Sequence, residues 1–213
     1  MFINATGYYI PEERIPNDYF APINGMTNQW IYQRTGIKTR SKASDEETMN
    51  LMCSKAVQAI QPELPYSIQE IDLIIFVSYT PSDTIGTAAH YIQREFNIKN
   101  AKVFHISSAC SSALNAMEII QSFFKSGIAS KALLVCAERN STYSDETDAV
   151  SGHLWGDAAV CMCFSKTQQM VSNPQIIDIT TKGLGHIGHG PKGVYLDLTE
   201  SKLHMPYMFF SIV

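Results

Sequence analysis

Ser107-Ser108-Ala109-Cys110-Ser111-Ser112-Ala113 joins a short β-branched run, Lys102-Val103-Phe104-His105-Ile106, to a long apolar segment. Strand, tight turn, cysteine and helix in that order place a thiol at a helix N-terminus. There the helix dipole and unpaired N–H groups favour a thiolate. An N–H of the same turn can point at an oxyanion formed on an acyl group bound to that sulfur. Small neighbours leave room for a substrate. The stretch read alone fits two things: a nucleophile at Cys110, or a structural cysteine, because free cysteines are among the most buried residues. A base is missing from the turn itself, since strand alternation aims His105 elsewhere.

The remaining thiols carry weaker signals. Cys53 lies in an amphipathic segment and Cys136 in an apolar one, while Cys161 and Cys163 share one strand face. A metal site at Cys161 and Cys163 needs further ligands, and His186 with His189 is the candidate pair. Neither spacing matches a zinc pattern, so both stretches read as packing and loop, and no metal is expected.

Elements that alternate between strand and helix must position this cysteine. Strands are expected over Met1 to Tyr9, Ile71 to Ser78, Lys102 to Ile106, Ala132 to Ala137 and Leu154 to Phe164, with a weaker one over Gln175 to Thr181. Helices are expected from Ser44 (whose Glu47 completes an S-x-x-E capping box) to Ile60, from Thr84 to Phe96, and from Ser111 to Ser126. The last has apolar residues wider than one stripe, which predicts cover on most sides. From Gly183 to Pro206 the chain reads as loop. The pattern is that of an α/β sheet with packed helices, residues 1–182 forming one unit and 183–213 a loop-rich segment.

Composition sets the outer limits. The chain has 213 residues, 45% hydrophobic and 17% charged, which suffices for a packed core. A net charge of −4 argues against general nucleic-acid binding. No apolar run reaches membrane-spanning length, and the N-terminus shows no signal pattern. Five cysteines, an odd count, read as reduced thiols in a cytoplasmic protein.

Several stretches together resemble β-ketoacyl-acyl carrier protein synthase III. Trp30-Ile31-Tyr32-Gln33-Arg34-Thr35-Gly36-Ile37-Lys38-Thr39-Arg40 is similar to its W-I-x-x-R-T-G-I-x-x-R signature. Ile71 to Ile74 with Thr80 to Asp83, Ala109-Cys110-Ser111, Glu138-Arg139-Asn140-Ser141 and Trp155-Gly156-Asp157-Ala158-Ala159 follow in the family's order.

The resemblance implies the N-terminal half of a thiolase-like fold, a mixed sheet with the nucleophile helix buried between layers. It implies acyl transfer from a coenzyme A or acyl carrier protein thioester to Cys110, then condensation with a malonyl thioester and loss of CO₂. No bound cofactor is implied. Trp30 and Arg34 fall where the family binds the nucleotide of coenzyme A, Ile85 where its dimers line the acyl pocket, and Met205 at an acyl-pocket methionine. Arg34, Lys38, Arg40 and Lys42 form a basic cluster suited to phosphates or an acidic carrier protein. A homodimer is implied, with Lys102 to Ile106 as the shared edge. An arginine of the family falls near Ala149, where Asp145, Glu146 and Asp148 stand instead.

The family's catalytic histidine and asparagine belong to its second half, and their motifs are not found here. The chain by itself is therefore expected to lack condensing activity. Two other readings remain at this point: a non-catalytic half-domain that partners another chain, and a cysteine acyltransferase or thioesterase that stops at the acyl-enzyme.

Overall fold

A computed structural model of the chain describes residues 1–206. In chain order the elements are β1 (Phe2–Tyr9), β2 (Glu13–Pro16), α1 (Ala21–Asn24), α2 (Asn28–Thr35), β3 (Thr39–Lys42), α3 (Met49–Ile60), β4 (Leu73–Val77), α4 (Ala88–Glu95), β5 (Lys102–Ile106), α5 (Ser112–Lys125), β6 (Lys131–Arg139), β7 (Asp157–Ser165), β8 (Tyr195–Asp197) and β9 (Lys202–His204). They fall into two compact units. The first comprises Met1–Ile10, Asp45–Glu138 and Ala158–Thr181; the second comprises Pro11–Ser44, Arg139–Asp157 and the described residues from Lys182 to Pro206.

The first unit is built on a five-stranded mixed sheet of order β1-β7-β6-β4-β5. β4 runs parallel to both β5 and β6, whereas β1 is antiparallel to β7. All five residues of β4, Leu73 to Val77, are buried, as an apolar run at the centre of a parallel sheet requires. Leu73, Ile75 and Val77 point to one face and pack with Ala116, Ile120 and Phe124 of α5 and with Leu134 and Phe164. The intervening residues point the other way, to the face where α4 packs on β4 and β5. β5 is an edge strand.

α3 lies very close to β1. A Cβ on Gly7 would sit 2.4 Å from Ile60 Cγ2 and 2.7 Å from the Ala56 carbonyl oxygen, so only glycine permits this approach. Cys161, opposite Gly7 in the ladder, donates its S–H to the same Ala56 carbonyl at 3.0 Å.

The second unit holds two small hairpins, β2 with β3 and β8 with β9. Ile15, Phe20 and Ile31 form its apolar centre, flanked by Met26, Trp30 and Ile37.

Several expected elements differ. α3 begins at Met49, not Ser44, because Thr48 adopts the extended cap conformation and its hydroxyl accepts the Leu51 N–H at 3.3 Å. A reciprocal capping box forms instead at Ser67 and Glu70, on a single 3-10 turn. α4 starts four residues late, after Thr87, and β7 starts at Asp157 rather than Leu154. The expected strand from Gln175 to Thr181 is reduced to one bridge, Gln175 with Phe2. Residues 183–206 are not wholly loop, since β8 and β9 pair there. α5 buries the single stripe Ser112, Ala116, Ile120 and Phe124, while Leu114 is 47% exposed. The sheet covers one face of α5, so the expected all-round cover is not formed within this unit. Residues 207–213, which include most of the apolar C-terminal stretch, lie outside the described residues.

Candidate active site

The turn between β5 and α5 holds its cysteine outward. Ala109, Cys110 and Ser111 form one 3-10 turn, and α5 begins directly after it. Ala109 has φ +50°, a left-handed conformation that strains any residue with a Cβ. The segment after it is tied by side chains. The Ser108 N–H donates to Ser112 Oγ at 2.8 Å, and the Ser112 hydroxyl donates to the Ala109 carbonyl at 2.6 Å. Asn115 Nδ2 donates to Ser108 Oγ at 2.6 Å, and the Ser111 hydroxyl donates to the Ser108 carbonyl at 2.9 Å. The abundance of serine around Cys110 is thus explained by local hydrogen bonding as well as by size.

Accessibility separates Cys110 from the other thiols. It is exposed, whereas Cys53, Cys161 and Cys163 are buried and Cys136 is half-buried. Burial pushes the Cys136 and Cys161 thiols up to about 12, and raises those of Cys53 and Cys163 as well. These four are held as neutral thiols at physiological pH. His105 is engaged elsewhere, as strand alternation predicts: its Nε2 lies 3.0 Å from the Ser78 carbonyl, so that nitrogen carries a proton and donates.

Ile85 belongs to the same unit, in the segment after β4. It is 86% exposed, and its N–H donates to Asp83 Oδ1 at 2.7 Å.

Trp30, Arg34 and Met205 belong to the second unit. α2 is capped at its start by Thr27, whose hydroxyl accepts the Trp30 N–H, and at its end by Gly36 with φ +71°. Helical spacing brings Arg34 over Trp30, its guanidinium carbon 4.2 Å from the ring centroid. Sequence reasoning missed His153, which stands perpendicular to Trp30 with ring centroids 5.4 Å apart. It is wholly buried, and neither ring nitrogen has a hydrogen-bond partner among the described residues. Burial, together with the nearby Arg40 charge, lowers its pKa. No spacing signal marks it; only its position two residues before Trp155 places it near a motif.

The basic cluster is smaller than expected. Arg40 is buried, donating to the Ile15 carbonyl at 3.0 Å and to Asn17 Oδ1 at 2.8 Å, with its guanidinium over Phe20. Lys42 pairs with Glu146 at 2.8 Å. Arg34 and Lys38 are left facing solvent. Among the acidic residues beside Ala149, Glu146 also accepts from Tyr19, and Asp145 pairs with Lys202 at 2.5 Å. That bond holds the Asp145 carboxyl down to about 2. Met205 is buried next to a cleft of about 330 Å³ lined by Asp145, Asp148, Tyr195, Leu203 and His204.

Two of the quoted motifs meet in this unit. The Asp157 carboxylate is fully buried and accepts the Ala43 N–H, the Ser141 N–H and the Ser141 hydroxyl, while Asn140 Nδ2 donates to the Gly156 carbonyl. Asn140-Ser141 and Gly156-Asp157 therefore brace one another, which is a structural duty.

Asp197, Glu200 and His204 are a group, among the described residues, whose ligand atoms approach within 4.8 Å of one another. They line an exposed hairpin, and His204 already lies 3.5 Å from Glu200. Among the described residues no helix is long and apolar enough to cross a membrane.

A family model for 3-oxoacyl-[acyl-carrier-protein] synthase III matches residues 104–183, the stretch that contains the cysteine turn and α5. The chain is similar to synthase III. It is 34% identical over 170 residues to β-ketoacyl-[acyl-carrier-protein] synthase III of Anaplasma marginale, covering 80% of this chain and 52% of that protein. The crystal structure of the synthase III of Aquifex aeolicus superposes with a TM-score of 0.80 at 28% identity, over 96% of this chain and 64% of that one. The priming β-ketosynthase of the R1128 polyketide pathway superposes at 0.72 and 27% identity, over 76% and 48%. The fold is thus the thiolase-like, mixed α/β fold of synthase III. The chain spans about half the length of the curated synthase III relatives it matches.

Proposed function

We propose that Cys110 is the acyl-accepting nucleophile of a synthase III-type condensing enzyme serving fatty-acid or polyketide synthesis. The observation that carries this reading is the exposed thiol on a strained strand–turn–helix connection, inside the stretch that matches the family model. In the first step Cys110 Sγ bonds to the carbonyl carbon of an acyl thioester. The bond from that carbon to the donor sulfur breaks, and the thiol proton leaves with the donor thiol. A malonyl thioester then loses CO₂, the resulting carbanion bonds to the acyl carbonyl carbon, and the bond from that carbon to Cys110 Sγ breaks, which releases the thiolate to take up a proton.

Acyl carrier protein is the donor we favour over coenzyme A. Arg34 and Lys38 keep positive charge toward solvent for an acidic carrier, while Arg34 already occupies one face of Trp30. Ile85 and Met205 are assigned to the acyl chain. Two chains are proposed to pair through β5, which among the described residues has a neighbouring strand on one side only. Five unpaired thiols suit a cytoplasmic setting.

Intact-mass spectrometry tests the first step. Incubation with an acyl-carrier-protein thioester is expected to add one acyl mass to the chain, and Cys110→Ala is expected to remove it. Absence of an adduct from both carrier-protein and coenzyme A thioesters would overturn the proposal. A second reading, a non-catalytic surface for another protein, is favoured by the half-exposed Leu114 on α5. It predicts binding of a hydrophobic dye by the isolated chain without any acyl adduct.

A further inference from the structure

The strained turn at Ala109 needs both of its flanks held, because such backbone persists only where the surroundings over-determine it. Downstream, Ser112 and Asn115 supply the hold described above. Upstream the turn hangs from β5, an edge strand whose ladder to β4 ends at Val77 opposite Ile106. Another support stands at the end of that ladder.

Glu138, near the end of β6, aims its carboxylate at the residues that follow β4. It accepts the Ser78 hydroxyl at 3.1 Å, the Tyr79 N–H at 3.0 Å, the Thr80 N–H at 3.0 Å and the Thr80 hydroxyl at 2.5 Å. Ser78 and Thr80 are almost wholly buried. One carboxylate has enough lone pairs for four donors, which a single backbone carbonyl does not. The Ser78 carbonyl, held in place by this clamp, accepts the His105 Nε2–H at 3.0 Å. His105 also packs on Phe76, centroids 5.1 Å apart. The chain from His105 to Cys110 contains one further strand residue and then the turn.

We propose that Glu138 is a positioning residue: through Ser78 and His105 it holds the end of β5, and thereby fixes the turn that presents Cys110. The role extends the proposed acyl transfer, but its geometry stands apart from that reading. Burial pushes the Glu138 carboxyl up against the pull of its donors, so the group is not an ordinary surface carboxylate.

Two variants test it. Glu138→Gln keeps the shape but turns an NH₂ group toward the donors. His105→Phe breaks the relay without touching the clamp. In amide NMR spectra, Glu138→Gln is expected to move the resonances of residues 79–80 and also those of 108–111. His105→Phe is expected to move 108–111 and leave Tyr79 and Thr80 protected. If Glu138→Gln shifts residues 78–80 alone, or if His105→Phe leaves 108–111 unchanged, the positioning role is overturned. Should Glu138→Gln fail to fold, His105→Phe still decides.

The acyl-thioester arm adds a functional readout. Acyl transfer to Cys110 is expected to fall roughly ten- to a hundredfold in Glu138→Gln. Alkylation by iodoacetamide, which needs little more than access, is expected to stay within about twofold of wild type, on the same ground that approach geometry governs the first reaction and not the second. Equal acyl-transfer rates in variant and wild type would overturn the role. A wild type that takes no acyl group overturns the proposed function instead, and the NMR comparison then decides the positioning role.

Discussion

Cys110 is exposed, whereas the other four cysteines are buried or half-buried and their thiol pKa values are raised by that burial. Iodoacetamide under native conditions is therefore expected to label Cys110 first, because burial keeps the other thiols neutral and covers Cys53, Cys161 and Cys163. Peptide mapping of the labelled protein checks this. Ala109→Gly relieves the left-handed strain and is expected to leave stability unchanged or raise it by up to about 1 kcal/mol, while loosening the thiol's position and slowing acylation. Chemical denaturation and acyl-adduct kinetics read the two effects separately. His153 gives a pH-dependent signature. Its pKa is lowered in the folded state, so the unfolded chain binds the extra proton, and stability is lost as pH falls below about 6.5. His153→Phe is expected to flatten that dependence in melts between pH 5 and 7, and to raise stability by about 1–3 kcal/mol by removing unpaired buried nitrogens. A steeper pH dependence in the variant would contradict this account.

At the scale of elements, close approach matters more than propensity. Gly7→Ala would drive a methyl group into Ile60 and into the Ala56 backbone, so α3 must shift from β1. A loss of about 1–3 kcal/mol is expected in urea denaturation, as for other overpacked cores. The β8–β9 hairpin is tied to the 143–148 segment by the Leu203 N–H to the Tyr143 carbonyl and by Lys202 with Asp145. Asp145 has a depressed pKa, so the stability it contributes is present above about 3.8 and lost as pH falls toward 2. Lys202→Met is expected to bring the acid transition to higher pH, read by circular dichroism during titration. The capping residues show why element boundaries escaped the sequence. Ser44 and Thr48 both carry cap-forming hydroxyls, and only the path of the backbone at Thr48 decided between them.

For the whole molecule, β5 lies at the sheet edge, the side through which two chains are proposed to pair. Val103→Asp is expected to convert a dimer to monomers in sedimentation, whereas a wild type already monomeric would remove that proposal. Strand and helix alternation, the apolar β4 and the cysteine turn were legible in the amino-acid sequence because they depend on neighbours within a few residues. The family resemblance was legible for the same reason, through short motifs such as Trp30–Arg40 and Trp155–Ala159. What tertiary structure alone decided was the environment of each charge. Arg40 and Lys42 look alike in a basic run, yet one is buried over Phe20 and the other is paired with Glu146, more than a hundred residues away. Glu138 and His105 likewise acquire their connection only when β4, β5 and β6 lie side by side. Local sequence sets which backbone conformations are favourable. Burial and distant partners set what a side chain's charge and proton can do, and those arise only in the folded chain.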